Sequence, residues 1–467
     1  MSKYPKNLWI MAVGAAFFWI AFTFARHLHF QTQAWDMGIF DQLFWNTIHG
    51  RFMEGTLEEL PNHFGVHFSP SLLLLTPFYA IFQSPYTLLL LQVLALTAGA
   101  FPIFEIAKRK LPEPFPLLLA AGYLLSPSLH WITTYDFHEI AFFVPSFLFA
   151  WNALESGKLN AAAVFFSLAA GTKEDAILAV LFAGLAIMAM NRGDKRLRKF
   201  GALLAILSLI YFTAVTKIFM PSFGGGLLRL DRYSHLGNSG IEIVRNILTD
   251  PLLIFKTVLT AEKLSYLFWL LIPTAGTALF YLPSTALLIP GLAENLLTNF
   301  PAQFSGTYQY DAILLPGIFI ASIYGISYFL NRQPEKKNLL SNILILTVVG
   351  SYLLRSPVNP VFFPLDIFRS GPETSIYSEL VSRVPAGASV SASTNLVPHL
   401  SRRKEIYMIG TEFGRPVDFI VIDAGNLSGF ADEEMFQAYG DSYMNSGNYV
   451  FEEIAGRYFI LKRKSLY

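Results

Sequence analysis

The sequence predicts an all-α polytopic membrane protein that carries a small α/β domain at its C-terminus. Of the 467 residues, 53% are hydrophobic and only 14% are charged, whereas about 25% of the residues in an ordinary soluble domain are charged. The apolar residues form repeated stretches long enough to cross a bilayer, and after about residue 356 the chain becomes polar and mixed. These observations place most of the chain in a membrane.

The apolar stretches predict about 11 transmembrane helices, because a spanning helix needs about 20 mostly apolar residues and about 17 at the least. The first stretch is followed by no small-residue cleavage site, so we interpret it as a retained helix and not as a signal peptide. The predicted spans lie near residues 8–25, 86–107, 115–132, 138–153, 157–171, 174–190, 200–219, 265–281, 283–297, 312–330 and 339–355.

Lysine and arginine residues in the short loops predict the orientation, since loops rich in them stay on the cytoplasmic side. The basic clusters at residues 108–110, 192–199 and 332–337 fall on one side, together with the N-terminus. Residues 67–82 are apolar but short and bracketed by proline, so we expect an interfacial or re-entrant helix there. Counting that segment as a crossing would place the basic loops outside. The expected location is the cell membrane, with a cytoplasmic N-terminus.

The chain divides into two predicted domains. Residues 1–356 form the transmembrane domain, with outer loops at residues 26–85 and 220–264. Residues 357–467 contain the strand-like runs "ASVSAS", "EIYMI", "DFIVIDA", "NYVFEE" and "RYFILKR", and a helical pattern at residues 431–440. Because the number of spans is odd, this α/β domain is expected on the extracytoplasmic side.

The predicted topology brings an unusual set of polar residues to the outer face. They come from separate loops, and ionisable groups at membrane depth indicate a functional site that faces a cavity. The residues are Asp36, Asp41, His63, His67, Asp136, His138, Glu139, Lys173, Glu174, Asp175, Arg229, Asp231, Arg232, Tyr308, Tyr310 and Asp311.

Each of these signals also has a plain structural explanation. A single carboxylate beside a span is more often a solvated helix cap than a catalyst. Asp136 with His138, and Lys173 with Asp175, are equally consistent with local ion pairs. No H-x-x-x-H or H-E-x-x-H spacing supports a histidine metal site. The run "FDQLFWNTIHG" also fits an amphipathic helix that lies in the membrane interface.

Composition excludes several kinds of site. The chain contains no cysteine, which excludes disulfides, thiolate metal sites and a cysteine nucleophile. The net charge of +1 gives no evidence for a nucleic-acid partner, and none is predicted.

The order of the motifs resembles that of the GT-C glycosyltransferase superfamily. A first span ends in an acidic loop, followed by "HFSPSLLLLTPFYAIFQSPYTLLLLQVLALTAGAFPIFEIAKRK" and later by "YDFHE" and "LAAGTKEDAILAVL". This arrangement, over roughly residues 1–220, resembles protein O-mannosyltransferases and the aminoarabinose transferases of lipid A. The motifs "WDMGIFDQLFWNTIHGRF", "HFSP", "DFHE", "KED" and "SASTNLVPHLSRR" resemble, over nearly the whole chain, a predicted-membrane-protein family of unassigned function that is allied to GT-C.

The resemblance also has departures. His67 is followed by Phe-Ser-Pro instead of Pro-Pro, and the acidic pair is Asp36 with Asp41 instead of two adjacent acids. These differences bear on the acceptor class and on the use of a metal. Carboxylates suit Mg or Mn but fix neither, so the sequence leaves open whether a divalent cation lies between Asp36 and Asp136.

The resemblance implies transfer of a sugar from a polyprenyl-phosphate donor to an extracytoplasmic acceptor, with inversion. Such a displacement needs a base for the acceptor proton and cations for the leaving phosphate. Asp36 is the candidate base, and Asp136 would orient the acceptor or a second proton. The candidate substrate-binding residues are Asp41, His67, His138, Glu139, Lys173, Glu174, Asp175, Arg229, Arg232 and Tyr310, of which Lys173 and Arg229 or Arg232 would bind the lipid phosphate. The acceptor is an unidentified glycan, lipid or protein.

Two other functions stay open at this point. A transporter or lipid flippase would place charged residues near the middle of the bilayer and would show internal repeats, whereas here the charges gather at one face. A non-catalytic cell-envelope scaffold that binds through its C-terminal domain would be unaffected by loss of Asp36.

Overall fold

Helices make up most of the chain up to residue 355 in the structure, a computed structural model that describes residues 4–412 and 414–464. The α-helices of this part are α1 (Lys6–Leu28), α2 (Ile39–Ile48), α3 (His63–Val66), α4 (Thr76–Ile81), α5 (Pro85–Ala98), α6 (Ala100–Lys110), α7 (Phe115–Leu124), α8 (Pro127–Thr134), α9 (Phe143–Glu155), α10 (Leu159–Ala170), α11 (Ala176–Met190), α12 (Lys195–Ala214), α13 (Met220–Ser222), α14 (Gly240–Thr249), α15 (Pro251–Val258), α16 (Ala261–Leu271), α17 (Ile289–Leu297), α18 (Leu314–Leu330) and α19 (Lys337–Arg355).

Within the described residues, 6 helical segments are long and apolar enough to cross a membrane. They are Lys6–Leu28, Pro85–Lys110, Phe115–Thr134, Lys195–Ser222, Gln309–Leu330 and Pro334–Arg355, and each coincides with a predicted span. The predicted spans at 138–153, 157–171 and 174–190 correspond to α9, α10 and α11, which have 13, 12 and 15 residues. The multi-pass helical architecture is confirmed, and the number of eleven crossings stays a prediction.

The predicted spans at 265–281 and 283–297 are broken helices in the structure. After α16 the chain makes the 3₁₀ turns Ile272–Thr274, Thr277–Leu279 and Leu282–Leu288 before α17 begins. Ala275 and Gly276 between these turns have φ angles of 53° and 66°, a left-handed conformation that interrupts a helix. Apolar composition alone does not register such breaks, which is why the sequence suggested continuous spans.

The predicted α/β domain is present, and its elements lie between residues 372 and 463. Its sheet has the strand order β2-β1-β3-β5-β4, with β1 (Val390–Ala392), β2 (Ile406–Met408), β3 (Phe419–Asp423), β4 (Tyr449–Ile454) and β5 (Tyr458–Arg463). β1 is parallel to β2 and β3, and β5 is antiparallel to β3 and β4. The helices are α20 (Pro372–Ser382), α21 (Val397–Leu400) and α22 (Glu433–Met444). Each predicted strand-like run contains a strand, so the predicted α/β fold is confirmed, while the boundary at residue 356 stays a prediction.

The C-terminal domain packs against the segment that follows α1. The hydroxyl of Thr394, just after β1, accepts a hydrogen bond from the backbone N–H of Ala34 at 3.1 Å. A Cβ atom at Gly38 would lie 2.8 Å from Cγ1 of Val397, so only glycine permits this approach of α21. The two predicted domains therefore share a close interface at the chain segment that carries Asp36.

Candidate active site

A polar cavity of about 320 Å³ lies at the end of the bundle where α1 ends. Its walls come from the segments after α1, before α3, before α9, before α11, after α13 and before α18. The predicted site residues that line it are Asp36, His67, His138, Glu139, Lys173, Arg229, Arg232 and Tyr310. Asp41, Asp136, Glu174 and Asp175 do not line it.

Asp36 lies in the cavity wall in a strained backbone conformation. It belongs to the short π-helical segment Ala34–Gly38 and has φ 74° and ψ −76°, a region that residues other than glycine rarely adopt. Two backbone N–H groups shortly before Asp36 are fixed by distant side chains, since that of Gln33 donates to Oδ2 of Asp136 at 2.7 Å and that of Ala34 donates to the hydroxyl of Thr394. Such strain persists only where surrounding contacts hold it, and it is frequent at functional sites.

Asp36 and His138 form a hydrogen-bonded pair at the cavity. Nδ1 of His138 lies 3.2 Å from Oδ1 of Asp36. Because an ionised carboxylate only accepts hydrogen bonds, the shared proton belongs to Nδ1, which leaves Nε2 of a neutral His138 as an acceptor. Nε2 is buried and has no hydrogen-bond partner within residues 4–412 and 414–464. The pair thus places an unpartnered and solvent-shielded ring nitrogen in the cavity wall.

Tyr135 supports this pair from one side. Its ring stacks on that of His138 with centroids 4.8 Å apart and an interplanar angle of 2°, and its side chain hydrogen-bonds with Asp36. Burial and the neighbouring carboxylates of Asp36 and Asp136 raise the pKa of the Tyr135 hydroxyl well above its usual range. The hydroxyl therefore stays protonated and donates to the carboxylate.

Asp136 lies behind the cavity wall and not in the cavity. Its Oδ1 is 3.3 Å from Nη1 of Arg26, its Oδ2 accepts from the backbone of Gln33, and its backbone carbonyl accepts from Nε2 of Gln92 at 2.9 Å. Burial raises the pKa of the Asp136 carboxyl to about 6, although Arg26 opposes this shift. This geometry supports a positioning role, in which Asp136 fixes the strained segment that holds Asp36.

The two acids do not fit a shared divalent cation in this arrangement. Asp36 is directed to His138, and Asp136 is already paired with the guanidinium of Arg26. No group of three or more histidine, aspartate or glutamate side chains in the described part of the chain is arranged to hold a metal ion. We therefore derive no catalytic step through Mg or Mn.

Asp41 is a structural residue and not a substrate ligand. It is 0% exposed; Oδ1 accepts from the hydroxyl of Tyr79 and Oδ2 from that of Ser401, both at 2.6 Å. Asp36 precedes α2 in a non-helical conformation and Asp41 lies in the first turn of α2, so the two carboxylates point to different surroundings. The assignment of Asp41 to substrate binding is corrected here, because its carboxylate joins α2 to the C-terminal domain.

The "KED" motif orders a second part of the cavity wall. Nδ1 of His67 lies 2.9 Å from Oε1 of Glu174, whose Oε2 accepts from the backbone N–H of Phe68 at 3.1 Å. The Glu174 carboxylate therefore bridges the side chain of His67 and the backbone of Phe68. It fixes the "HFSP" segment, so it acts behind the cavity.

Lys173 brings a positive charge to the cavity. Its Nζ lies 2.9 Å from Oδ2 of Asp175. Burial would lower the pKa of Lys173, but the carboxylates of Asp175 and Glu174 raise it well above its usual range. The ammonium group is therefore charged, with Asp175 as its counter-ion.

Arg229 and Arg232 complete the cationic side of the cavity in different ways. Nη2 of Arg229 lies 2.7 Å from Oε1 of Glu59, and 42% of the Arg229 side chain is exposed. The guanidinium of Arg232 lies over the rings of Phe300 and Tyr310, at 4.3 and 5.8 Å from their centroids, and hydrogen-bonds with the Tyr310 side chain. Among the described residues Arg232 makes no ion pair within 4 Å, so it is the less committed of the two cations.

Arg26, Tyr135, Glu58 and Glu294 contribute to the site but were not among the site residues predicted from the sequence, whereas His63 was. In the sequence, the position of Arg26 indicates only the end of a helix, and that of Tyr135 indicates only an aromatic residue at the membrane interface. His63 is hydrogen-bonded through Nδ1 to Glu58 at 2.9 Å and through Nε2 to the hydroxyl of Ser69 at 3.0 Å, and both His63 and Glu58 line the cavity. Glu294 interacts electrostatically with Asp175 and Lys173. A carboxylate inside the predicted span 283–297 was the available signal for Glu294.

The family of the chain follows from its sequence. Residues 26–455 match the model of a family described as "Predicted membrane protein (DUF2079)". The chain belongs to this family. Its match covers both predicted domains, so the C-terminal sheet is part of the family's sequence. No curated protein matches the chain.

Solved structures show that this family member has a GT-C-like fold. ArnT from Cupriavidus metallidurans bound to undecaprenyl phosphate aligns with 98% of this chain and 98% of its own, at 11% identity and a TM-score of 0.55. The same protein in the apo state aligns over 97% of both chains, at 11% identity and a TM-score of 0.50. The Archaeoglobus fulgidus oligosaccharyltransferase in the apo form aligns over 91% of this chain and 70% of its own, at 12% identity and a TM-score of 0.48.

Proposed function

We propose that this protein is an integral membrane glycosyltransferase that moves a sugar from a polyprenyl-phosphate donor to an extracytoplasmic acceptor. The observation that carries the proposal is that one cavity is lined both by the Asp36–His138 pair, whose Nε2 has no hydrogen-bond partner among the described residues, and by Arg232, whose guanidinium makes no ion pair within 4 Å in that part of the chain. A displacement at an anomeric carbon needs both a base for the incoming group and a cation for the leaving phosphate.

The Asp36–His138 pair would activate the acceptor. The acceptor oxygen or nitrogen attacks the anomeric carbon, and its proton passes to Nε2 of His138. Oδ1 of Asp36 holds Nδ1–H and stabilises the imidazolium that forms, as an acid–histidine pair does in hydrolases. This assignment moves the role of base from Asp36 alone to the pair, since Nε2 is the group without a partner among the described residues.

The cationic wall would receive the leaving group. As the bond between the anomeric carbon and the phosphate oxygen breaks, its electron pair stays on the phosphate, which gains negative charge. The guanidinium of Arg232 has donors for such an oxyanion beyond the one that Tyr310 takes, and Lys173 adds a charged ammonium group to the same cavity. Attack from the side opposite the phosphate gives inversion at the anomeric carbon.

The comparisons support the donor class. A structure of the same fold is bound to undecaprenyl phosphate, which favours a lipid phosphate as carrier of the sugar. The acceptor stays a glycan, lipid or protein without further assignment.

The test is release of free polyprenyl phosphate by the purified full-length protein in nanodiscs. A panel of polyprenyl-phosphate sugars is incubated with a membrane extract as the acceptor source, and the lipid products are separated by chromatography. Wild type should release polyprenyl phosphate from at least one donor, and Asp36→Asn should release about 10² to 10⁴ times less, the contribution of a positioned base. Intact donor throughout, with labelled lipid crossing the bilayer of proteoliposomes, would instead support a flippase.

A further inference from the structure

A second cavity, of about 380 Å³, lies at the opposite end of the helical bundle. Glu139, shortly before α9, lines the Asp36 cavity, whereas Glu155, the last residue of α9, lines the second cavity. At a rise of about 1.5 Å per residue the two glutamates are roughly 24 Å apart. The second cavity is therefore a separate site, at the end that the basic loops assign to the cytoplasm.

The carboxylates of the second cavity are already paired within the protein. Oε2 of Glu155 lies 2.8 Å from Nζ of Lys110, and Oε1 accepts from the hydroxyl of Tyr324. Oδ1 of Asp194 accepts from the backbone N–H groups of Arg196 and Leu197, at 2.8 and 3.1 Å, and so caps α12. Neither acid needs a ligand.

Two donor side chains of this cavity, those of Trp151 and Arg196, have no acceptor among the described residues. Trp151 is 1% exposed, and its Nε1–H has no hydrogen-bond partner within the described ranges 4–412 and 414–464. The guanidinium of Arg196 lines the same cavity and makes no ion pair with any described residue. A buried N–H without an acceptor is unfavourable, so the complementary ligand supplies anionic oxygen atoms.

We propose that this cavity binds the phosphate group of an anionic glycerophospholipid. The membrane is the source because the rim of the cavity belongs to α12, a helix whose side chains at Leu203, Ile206 and Ile210 are more than half exposed, as in a helix that faces lipid. α12 begins with the basic run at residues 195–199, and clusters of this kind attract anionic headgroups. The acyl chains would lie along α12 while the phosphate enters between Arg196 and Trp151.

The test is retention of phosphatidylglycerol by the full-length protein, measured by native mass spectrometry after detergent exchange, with phosphatidylcholine as the zwitterionic reference. Arg196→Gln and Trp151→Phe should each lower the apparent affinity for phosphatidylglycerol about tenfold. Arg198→Gln is the matched control, since it removes the same charge from the same helix at a position that does not line the cavity. Asp36→Asn should bind the lipid as wild type does, because this site is independent of the proposed reaction.

Two outcomes would overturn the proposal. If Arg196→Gln, Trp151→Phe and Arg198→Gln all retained as much phosphatidylglycerol as wild type, neither Arg196 nor the indole N–H of Trp151 would contact the lipid. Displacement of phosphatidylglycerol by millimolar inorganic phosphate would identify a soluble phosphate, and not a lipid, as the ligand. Folding of each variant is checked by its thermal unfolding, and should Trp151→Phe be unstable, the comparison of Arg196→Gln with Arg198→Gln decides the proposal.

Discussion

Nδ1 of His138 lies 3.2 Å from Oδ1 of Asp36, while the opposite ring nitrogen of His138 is buried without a partner among the described residues. The two residues are separated by about one hundred positions in sequence and belong to different loops. Tyr135 stacks on the imidazole of His138 and hydrogen-bonds with the carboxylate of Asp36, so it contacts both residues of the pair. This relationship makes the two residues a single functional unit and leads to the first prediction.

Asp36→Asn, His138→Gln and the double variant should lose similar amounts of transfer activity. When two residues act as a unit, removing either one abolishes the contribution of both, so the losses do not add. Each variant should fall by about 10² to 10⁴ in kcat, measured as release of polyprenyl phosphate. If the double variant lost the product of the two single losses, the residues would act independently and the pair would not be the base.

Arg232→Gln should weaken donor binding more than Arg229→Gln. A hydrogen bond to a charged group contributes about 1.5–3 kcal/mol, which corresponds to roughly a 10- to 100-fold loss of affinity. Arg229 is already paired with Glu59 and is partly exposed, so its loss should change affinity only about threefold or less. The measurement is binding of polyprenyl phosphate to purified protein. Both variants remove one positive charge, and equal losses would indicate general electrostatic attraction instead of a specific contact.

Asp41→Asn should change how stability depends on pH. Burial raises the pKa of the Asp41 carboxyl from 3.8 to about 6. A raised pKa means that the folded state binds the proton more tightly, so this stabilisation is full below pH 3.8 and is lost as pH rises through about 6. The shift corresponds to about 3 kcal/mol, at about 1.4 kcal/mol for each unit.

The amide that replaces the carboxyl in that variant carries no charge at any pH. The difference in free energy of unfolding, variant minus wild type, should therefore rise between about pH 4 and pH 7. It is measured by thermal unfolding in mild detergent at a series of pH values. Contributions of other groups, such as Glu174, are common to both proteins and cancel. Ser401→Ala is the comparison variant, because it keeps the titrating carboxyl and removes a hydrogen bond that lowers the pKa of Asp41; its stability should fall more steeply with rising pH than that of wild type. A difference that stays constant with pH would contradict a raised pKa.

Residues 357–467 should be accessible to protease from the extracytoplasmic side. The prediction follows from the basic loops and the odd number of predicted spans. Protease added to spheroplasts should remove the C-terminal domain, whereas in inside-out vesicles the same domain should be protected. The reverse pattern would invert the topology and place the Asp36 cavity at the cytoplasmic face.

The lipid-facing and core-facing helices were accessible from the sequence because their signal is local. A run such as residues 8–25 is recognised by its apolar composition. The strand-like runs of the C-terminal domain are recognised by the alternation of apolar and polar residues and by flanking turns. Asp36, His138 and Lys173 were found because ionisable groups at span ends are conspicuous in a chain that is otherwise apolar. The GT-C-like fold was likewise anticipated from the order of these motifs.

The contacts of each polar residue became evident from the three-dimensional structure alone. Asp36 and Asp41 lie in one short acidic segment, yet one faces the cavity and the other is fully buried against Tyr79 and Ser401. Ser401 belongs to the C-terminal domain and lies 360 residues further along the chain. No sequence pattern around Asp41 predicts this contact. Local composition was sufficient to locate the 6 long apolar helices, since the transfer of apolar side chains into a membrane depends on the residues of one segment. The group that pairs with a buried charged side chain comes from a part of the chain that is distant in sequence and is brought within a few ångströms by folding. No single segment of the sequence therefore identifies that partner.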